Sequence, residues 1–283
     1  MELREIAKNL YEAVVEAGEH ALQVQISPRT WNSKESLDVD SRGVDSALVT
    51  SAVDDNVLRF LHAKIESIAP FDGYWEEVGS DRHPGGRYWS VGKVDGAVNF
   101  TRNLAEWTLT VSLFELNETG QAYPILGIVH APALQTTYLA ARKQGAIRIR
   151  PSKVGLKREP VVPSMTQHLR GSVVSFGMSY FPEESKQAIA TVASMAGLPA
   201  DIKRMGPTSL DLCKVADGTY DAYFEPSLHN WDIPAVSAGS IVVWESGASL
   251  RQWDGSEIDW CQKNNILATN GLLTDELQAY LAL

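Results

Sequence analysis

Residues 89–100 read Trp89-Ser90-Val91-Gly92-Lys93-Val94-Asp95-Gly96-Ala97-Val98-Asn99-Phe100, a strand-like start that runs into a turn of small residues. The segment Asp95-Gly96-Ala97 follows that strand and opens a short helix. The first N–H groups of a helix have no partner within it, so they can hold a phosphate whatever the side chains are. Gly96 serves equally well as a simple tight turn, because glycine takes backbone angles that other residues avoid. Local sequence leaves both roles open.

Towards the N-terminus, Leu3, Ile6, Leu10, Val14, Ala17, Ala21 and Leu22 recur at three- and four-residue spacing, which predicts one amphipathic helix over residues 2–24. Residues 27–46 are polar, lack sustained periodicity and read as a long loop. A second helix is expected over 54–68, with Val57, Phe60, Leu61, Ile65 and Ile68 on its apolar side and Pro70 ending it. Beyond Trp89, runs rich in Val, Thr, Leu and aromatics at 108–115, 125–130 and 136–141 predict an antiparallel sheet. After Arg150 strands alternate with helices: a strand at 172–176, helices at 183–195 and 209–216, a strand at 222–225 and a helix from Ile233. That alternation predicts a layered α/β half. The proline-rich stretch 151–163 marks the boundary, giving an N-terminal α+β half over 1–150 and a C-terminal α/β half over 151–283.

A chain of 283 residues can bury a core large enough for two halves in one unit. The net charge of -10, from 25 basic and 35 acidic residues, excludes general binding to nucleic acid or anionic membrane, because either needs a positive field. An anionic substrate therefore needs local cations. Only Cys213 and Cys261 are present, too few for a disulfide framework, and no apolar run of signal-peptide or membrane-spanning type occurs. A soluble cytoplasmic protein acting on a small-molecule substrate is expected. There is no Walker-type loop, zinc-like Cys/His cluster or G-x-S-x-G elbow, and no organic cofactor is indicated.

The 89–100 stretch resembles the signature of the inositol monophosphatase family, keeping its tryptophan, second aspartate, glycine and Asn-Phe. Further segments match in family order: Val49-Thr50-Ser51-Ala52-Val53-Asp54, Tyr74-Trp75-Glu76-Glu77, Gly127-Ile128-Val129-His130-Ala131-Pro132, Gly206-Pro207-Thr208-Ser209-Leu210-Asp211-Leu212-Cys213 and Trp231-Asp232-Ile233-Pro234-Ala235. The resemblance implies an α/β fold of alternating layers (αβαβα, as in the inositol monophosphatase and fructose-bisphosphatase group), an active cleft between the halves and a homodimer. It places magnesium on Glu76, Asp95, Asp232 and the carbonyl of Val94, with Asp54 orienting the attacking water. It places phosphate on Gly96 and Ala97, and substrate hydroxyls on Glu225 with His229 beside it.

Four departures stand against that pattern. Gly92 replaces the aspartate that bridges two metal ions, Lys93 a proline, Ala97 the threonine that orients water, and Trp75 a glycine. Loss of a bridging carboxylate takes a ligand from both ions, so magnesium binding is expected to be weakened. Lys93 is either a solvated lysine or a compensating cation beside Glu76, Asp95 and Asp232, in which case Glu76, Asp95, Asp54 and Lys93 form the expected catalytic set. Trp75 either narrows the pocket or belongs to the core. The expected function is a diverged, phosphatase-like enzyme that binds a phosphorylated or polyhydroxylated metabolite, with hydrolysis lost or altered and acid/base chemistry in its place. The alternatives are a residual magnesium-dependent phosphomonoesterase and a pseudophosphatase that acts by binding.

Overall fold

The computed structural model describes residues 2–26, 44–78 and 81–281. Helix α1 (Leu3–Ile26) follows the expected apolar stripe. Helix α2 (Val44–Ile68) begins ten residues before the sequence-based start at 54. Its early turns are rich in β-branched and hydroxyl residues, which obscure a helical period. The loop expected over 27–46 lies outside the described residues except for 44–46, which belong to α2; of the 49–54 motif, only the side chains of Val53 and Asp54 are described.

The first sheet has seven strands in sequence order: β1 (Gly73–Tyr74), β2 (Arg87–Val91), β3 (Leu109–Leu116), β4 (Ala122–Ala131), β5 (Thr136–Ala141), β6 (Ala146–Ser152) and β7 (Gly155–Pro160). Every neighbouring pair is antiparallel except β1 with β2. Between β1 and β2 lies the single-turn helix α3 (Trp75–Val78), and α4 (Ala97–Thr101) follows β2. The division set at residue 150 falls inside the β6–β7 hairpin, so the chain leaves the first sheet only after Pro160. Pro151 lies near the end of β6, beyond its pairing with β5, and Pro160 ends the outermost strand β7, positions that tolerate a missing N–H.

The second sheet runs β11 (Ser249–Arg251), β12 (Ile266–Thr269), β10 (Ala222–Glu225), β8 (Val173–Phe176), β9 (Asp201–Lys203). Strands β10, β8 and β9 are parallel, while β12 is antiparallel to both its neighbours. Helices α6 (Thr208–Ala216) and α7 (Ile233–Ser246) lie between the two sheets; α5 (Pro182–Ser194) and α8 (Thr274–Leu281) cover the far face of the second. Three apolar clusters fill the spaces between layers: α1 and α2 on the first sheet, α6 and α7 between the sheets, and α5 and α8 on the second. This is the expected αβαβα order.

Two contacts hold α4 in place. The buried Gln25 amide at the end of α1 donates to the carbonyls of Phe100 (3.1 Å) and Leu104 (3.0 Å) and accepts from Trp107 Nε1 (2.9 Å). Asn99 Nδ2 donates to Glu106 O (2.6 Å) and Met205 O (3.0 Å), joining α4 to the second half.

Helix α7 passes so close to β4 that a Cβ on Gly127 would stand 2.3 Å from Ile241 Cγ2 and 2.4 Å from Ala238 O. Gly127→Ala is expected to destabilise by roughly 1–3 kcal/mol, the usual cost of overpacking a filled core. A lower urea midpoint at unchanged m would show it; an unchanged midpoint would mean that α7 is free to shift.

Candidate active site

The strand β2 ends at Val91, and residues 92–94 lead on to Asp95. Asp95 forms an isolated antiparallel bridge with Thr108, each donating its N–H to the other's carbonyl at 3.0 Å. Gly96 then takes φ +86°, where a Cβ would also meet Glu106 O at 3.0 Å. The turn role of Gly96 is thus built into the backbone, and Ala97 opens α4 behind it.

Asp95 is half-buried as a residue, but its carboxylate is enclosed. Its Oδ2 accepts from Ser209 N (3.1 Å) and Ser209 Oγ (2.6 Å) in the first turn of α6, where N–H groups lack helical partners. Ser209 Oγ also lies 2.6 Å from Thr108 Oγ1. Burial pushes the Asp95 carboxyl up, and the hydrogen bonds from Ser209 and the nearby Arg204 oppose that rise.

Glu225 ends β10 and is buried. Its Oε2 accepts from Tyr223 Oη (2.7 Å) and Thr208 Oγ1 (3.2 Å). Burial pushes its carboxyl up to about 7, against those hydrogen bonds and the Arg204 charge. Asp232 opens α7; its Oδ2 accepts from His229 N at 2.8 Å in a capping box. Burial holds Asp232 well above the usual aspartate range, and the neighbouring Glu225 and Asp95 add to the shift. Asp95, Glu225 and Asp232 therefore share one electrostatic site drawn from both halves.

The other sequence candidates sit elsewhere or are otherwise engaged. Glu76 Oε1 accepts from Ser90 Oγ, a buried hydroxyl on β2. Although Glu76 is exposed as a residue, desolvation of its carboxyl raises its pKa, and the charges acting on it are Arg82 and Glu77. Asp54 Oδ1 accepts from Val94 N–H at 2.8 Å, bracing the strand just before Asp95. Lys93 is exposed and enters no ion pair among the described residues. The cation that acts on both Asp95 and Glu225, and on Asp211 after Lys214, is Arg204, between β9 and α6, which the sequence reading did not single out. Its signal was only its position two residues before the Gly206-Pro207-Thr208-Ser209 motif. Trp75 stacks on Phe114 (4.1 Å, 24°) under the Arg82 guanidinium, which places it in the core.

The His229 backbone binds Asp232, but its imidazole is engaged outside the cluster. Its Nε2 pairs with Glu184 Oε2 (2.9 Å), and its ring stacks on Trp231 (4.4 Å, 7°) with Phe181 on the other side (5.1 Å). Glu184 also accepts from Lys263 Nζ at 2.6 Å. Among the described residues no group of three or more His, Cys, Asp or Glu side chains stands together so as to hold a metal ion.

Around Gly92 the neighbours have closed in. A Cβ there would lie 2.1 Å from Thr110 Oγ1 and 3.4 Å from Pro234 Cβ. Thr110 is fully buried, and its hydroxyl has no hydrogen-bond partner among the described residues.

The inositol monophosphatase family profile matches residues 2–282. A histidinol-phosphatase of Mycobacterium tuberculosis is 32% identical over 211 residues, 74% of this chain and 75% of that protein. An inositol-1-monophosphatase of Synechocystis is 29% identical over 195 residues, 69% of this chain and 62% of that protein. The solved inositol monophosphatase of Anabaena superposes with a TM-score of 0.76 over 100% of this chain and 97% of that one, at 22% identity, which speaks to the fold. The chain belongs to the inositol monophosphatase family. No helix among the described residues is long and apolar enough to cross a membrane.

Two measurements check this geometry. Gly92→Asp should destabilise by roughly 1–3 kcal/mol from overpacking alone, and Thr110→Ala in the same chain should recover most of it. Urea denaturation of the four members of the cycle should give a coupling of roughly 0.5–3 kcal/mol; strict additivity would mean the two positions do not compete for space. The second concerns pH. Glu225 binds its proton more tightly folded than unfolded, so its stabilising share is complete below pH 4.5 and is lost as pH rises through about 7. In EDTA, urea midpoints should fall across that window and Glu225→Gln should flatten the fall; an equal slope in both proteins would exclude Glu225 as its source.

Proposed function

We propose that this protein binds a phosphorylated or polyhydroxylated metabolite between its two sheets and acts on it by proton transfer, without two-ion phosphate hydrolysis. The observation that carries this reading is the pairing of Gly92 with Thr110: no carboxylate is available at 92, and the Thr110 hydroxyl fills the space where such a side chain would begin. The rest of the donor set points the same way. Ser90 engages Glu76, Ser209 engages Asp95, and position 97 is alanine, which offers no hydroxyl to orient water. These residues do not fit a pair of bridged magnesium ions, which ask for a near-octahedral oxygen shell; a single weakly held ion remains within reach of Asp95 or Asp232.

The chain's own groups supply an alternative. Arg204 gives the positive charge that a phosphate or an oxyanion requires in an otherwise acidic molecule. Burial raises the proton affinity of both Glu225 and Asp232, with Asp95 adding to the first and Glu225 to the second, so this group of acids retains a proton near neutrality. A carboxyl that holds its proton at pH 7 is a general acid, and after donating it becomes the base. Tyr180, whose hydroxyl is raised by burial and by the charges of Asp95 and Asp232, borders the same space. A homodimer is part of this proposal: Val98, Leu104 and Met205 expose apolar surface where α4 meets the second half, the kind of patch a second copy would cover.

Purified protein tests the reading directly. Phosphate release from sugar, inositol and aminoalcohol phosphates is expected to stay near background with magnesium or with EDTA, while calorimetry detects binding of at least one of these esters. Glu225→Gln should remove turnover of a processed ligand but keep its binding. Magnesium-dependent release at ordinary enzymatic rates, above roughly 1 per second, would overturn the proposal in favour of a working phosphomonoesterase. Binding to a stoichiometric protein partner with no ester bound would favour the pseudophosphatase.

A further inference from the structure

We infer that the protein carries a second ligand site, remote from the acid cluster, for a phosphorylated anion with an apolar or planar body. The site is a cavity of about 720 Å³ between the first three turns of α1 and one face of β5, β6 and β7. That volume lies within the range of small-molecule pockets, roughly 300–1,000 Å³. Arg4, Lys8 and Tyr11 form the helical wall, Leu139, Ile147 and Ile149 the floor, and Arg158 the opposite wall.

Strand register explains why Arg158 faces this space. On the β6–β7 hairpin Arg148 lies opposite Glu159 and Arg150 opposite Lys157, so these four share one face. There every cation is paired: Arg148, Arg150 and Lys157 with Glu159, and Arg148 with Asp217 as well. Alternation turns Arg158 to the other face, opposite Ile149, where its charge acts on the Tyr11 hydroxyl across the cavity. Arg4 and Lys8, one helical turn apart, face the same cavity, and none of the three forms an ion pair among the described residues. The lining holds one carboxylate, Glu2, against these three cations.

A chain of net charge -10 thus gathers a local excess of positive charge above an apolar floor. Like charges brought together repel, and a phosphate or diphosphate group bound between them relieves that repulsion. The floor and the Tyr11 ring then take the remainder of the ligand. Neither charge nor apolar surface alone accounts for the lining.

Calorimetry in EDTA with three probes tests the inference: inorganic pyrophosphate, ADP with its planar body, and geranyl diphosphate with its aliphatic one. At least one of the two bodied diphosphates should bind tenfold or more tightly than pyrophosphate, and the tighter one identifies the body. Lys8→Ala with Arg158→Ala should weaken that binding tenfold or more and reduce its salt dependence, whereas Glu225→Gln should leave it unchanged. Arg158→Glu is a second variant at an exposed position and should abolish binding. Absence of binding, binding no tighter than pyrophosphate, or binding that survives Arg158→Glu would each overturn the site.

Discussion

The carboxylate of Asp95 joins the two halves of this protein. It leaves the end of a first-sheet strand and caps the first turn of α6, taking both the N–H and the hydroxyl of Ser209. An ionised carboxylate enclosed by protein is costly unless donors surround it, and an uncapped helix start buried between sheets is costly for the mirror reason. Each defect satisfies the other. The left-handed backbone at Gly96, the bridge to Thr108 and the Asn99 contacts to the second half follow from holding that carboxylate in place. Glu225 and Asp232 act on the same electrostatic site from the second half; burial does most to raise their proton affinity, and the charges of neighbouring acids add to it.

The neighbourhood of Gly92 is tightly filled. Ser90 lies on β2, Gly92 just beyond its end and Thr110 on the neighbouring β3. Ser90 supplies a hydroxyl to Glu76, and the Thr110 hydroxyl stands where a Cβ on residue 92 would begin. A larger side chain at 92 therefore meets a neighbour that leaves no room for it.

Much of this architecture is legible in the sequence. Strand 136–141 stands where its β-branched and aromatic content puts it, strand 222–225 where the alternation of strands and helices puts it, and the helix from Ile233 begins at its expected residue. The start of α2 was hidden because hydroxyl and β-branched residues weaken the helical signal without preventing a helix. The hairpin after residue 150 was hidden because its prolines and exposed residues look like a linker, although an outermost strand tolerates both. In the site, Asp95, Glu225 and Asp232 were visible through motif spacing. Arg204 was not, because a lone arginine before a helix acquires meaning only from what faces it in space. Nor could sequence show that Thr110 answers Gly92: residues 18 positions apart become neighbours only through the β2–β3 pairing.

Helix α7 has no solvated side over most of its length; residues 234–243 are all buried between the two sheets. A segment apolar on every face has no soluble existence apart from both of the layers it touches. The two halves are consequently one cooperative unit, since neither can open widely without presenting α7 to water. In the crowded cell such an opening would expose a ready-made aggregation surface, so the same sandwiching that anchors Asp232 also obliges the chain to fold and unfold as a whole.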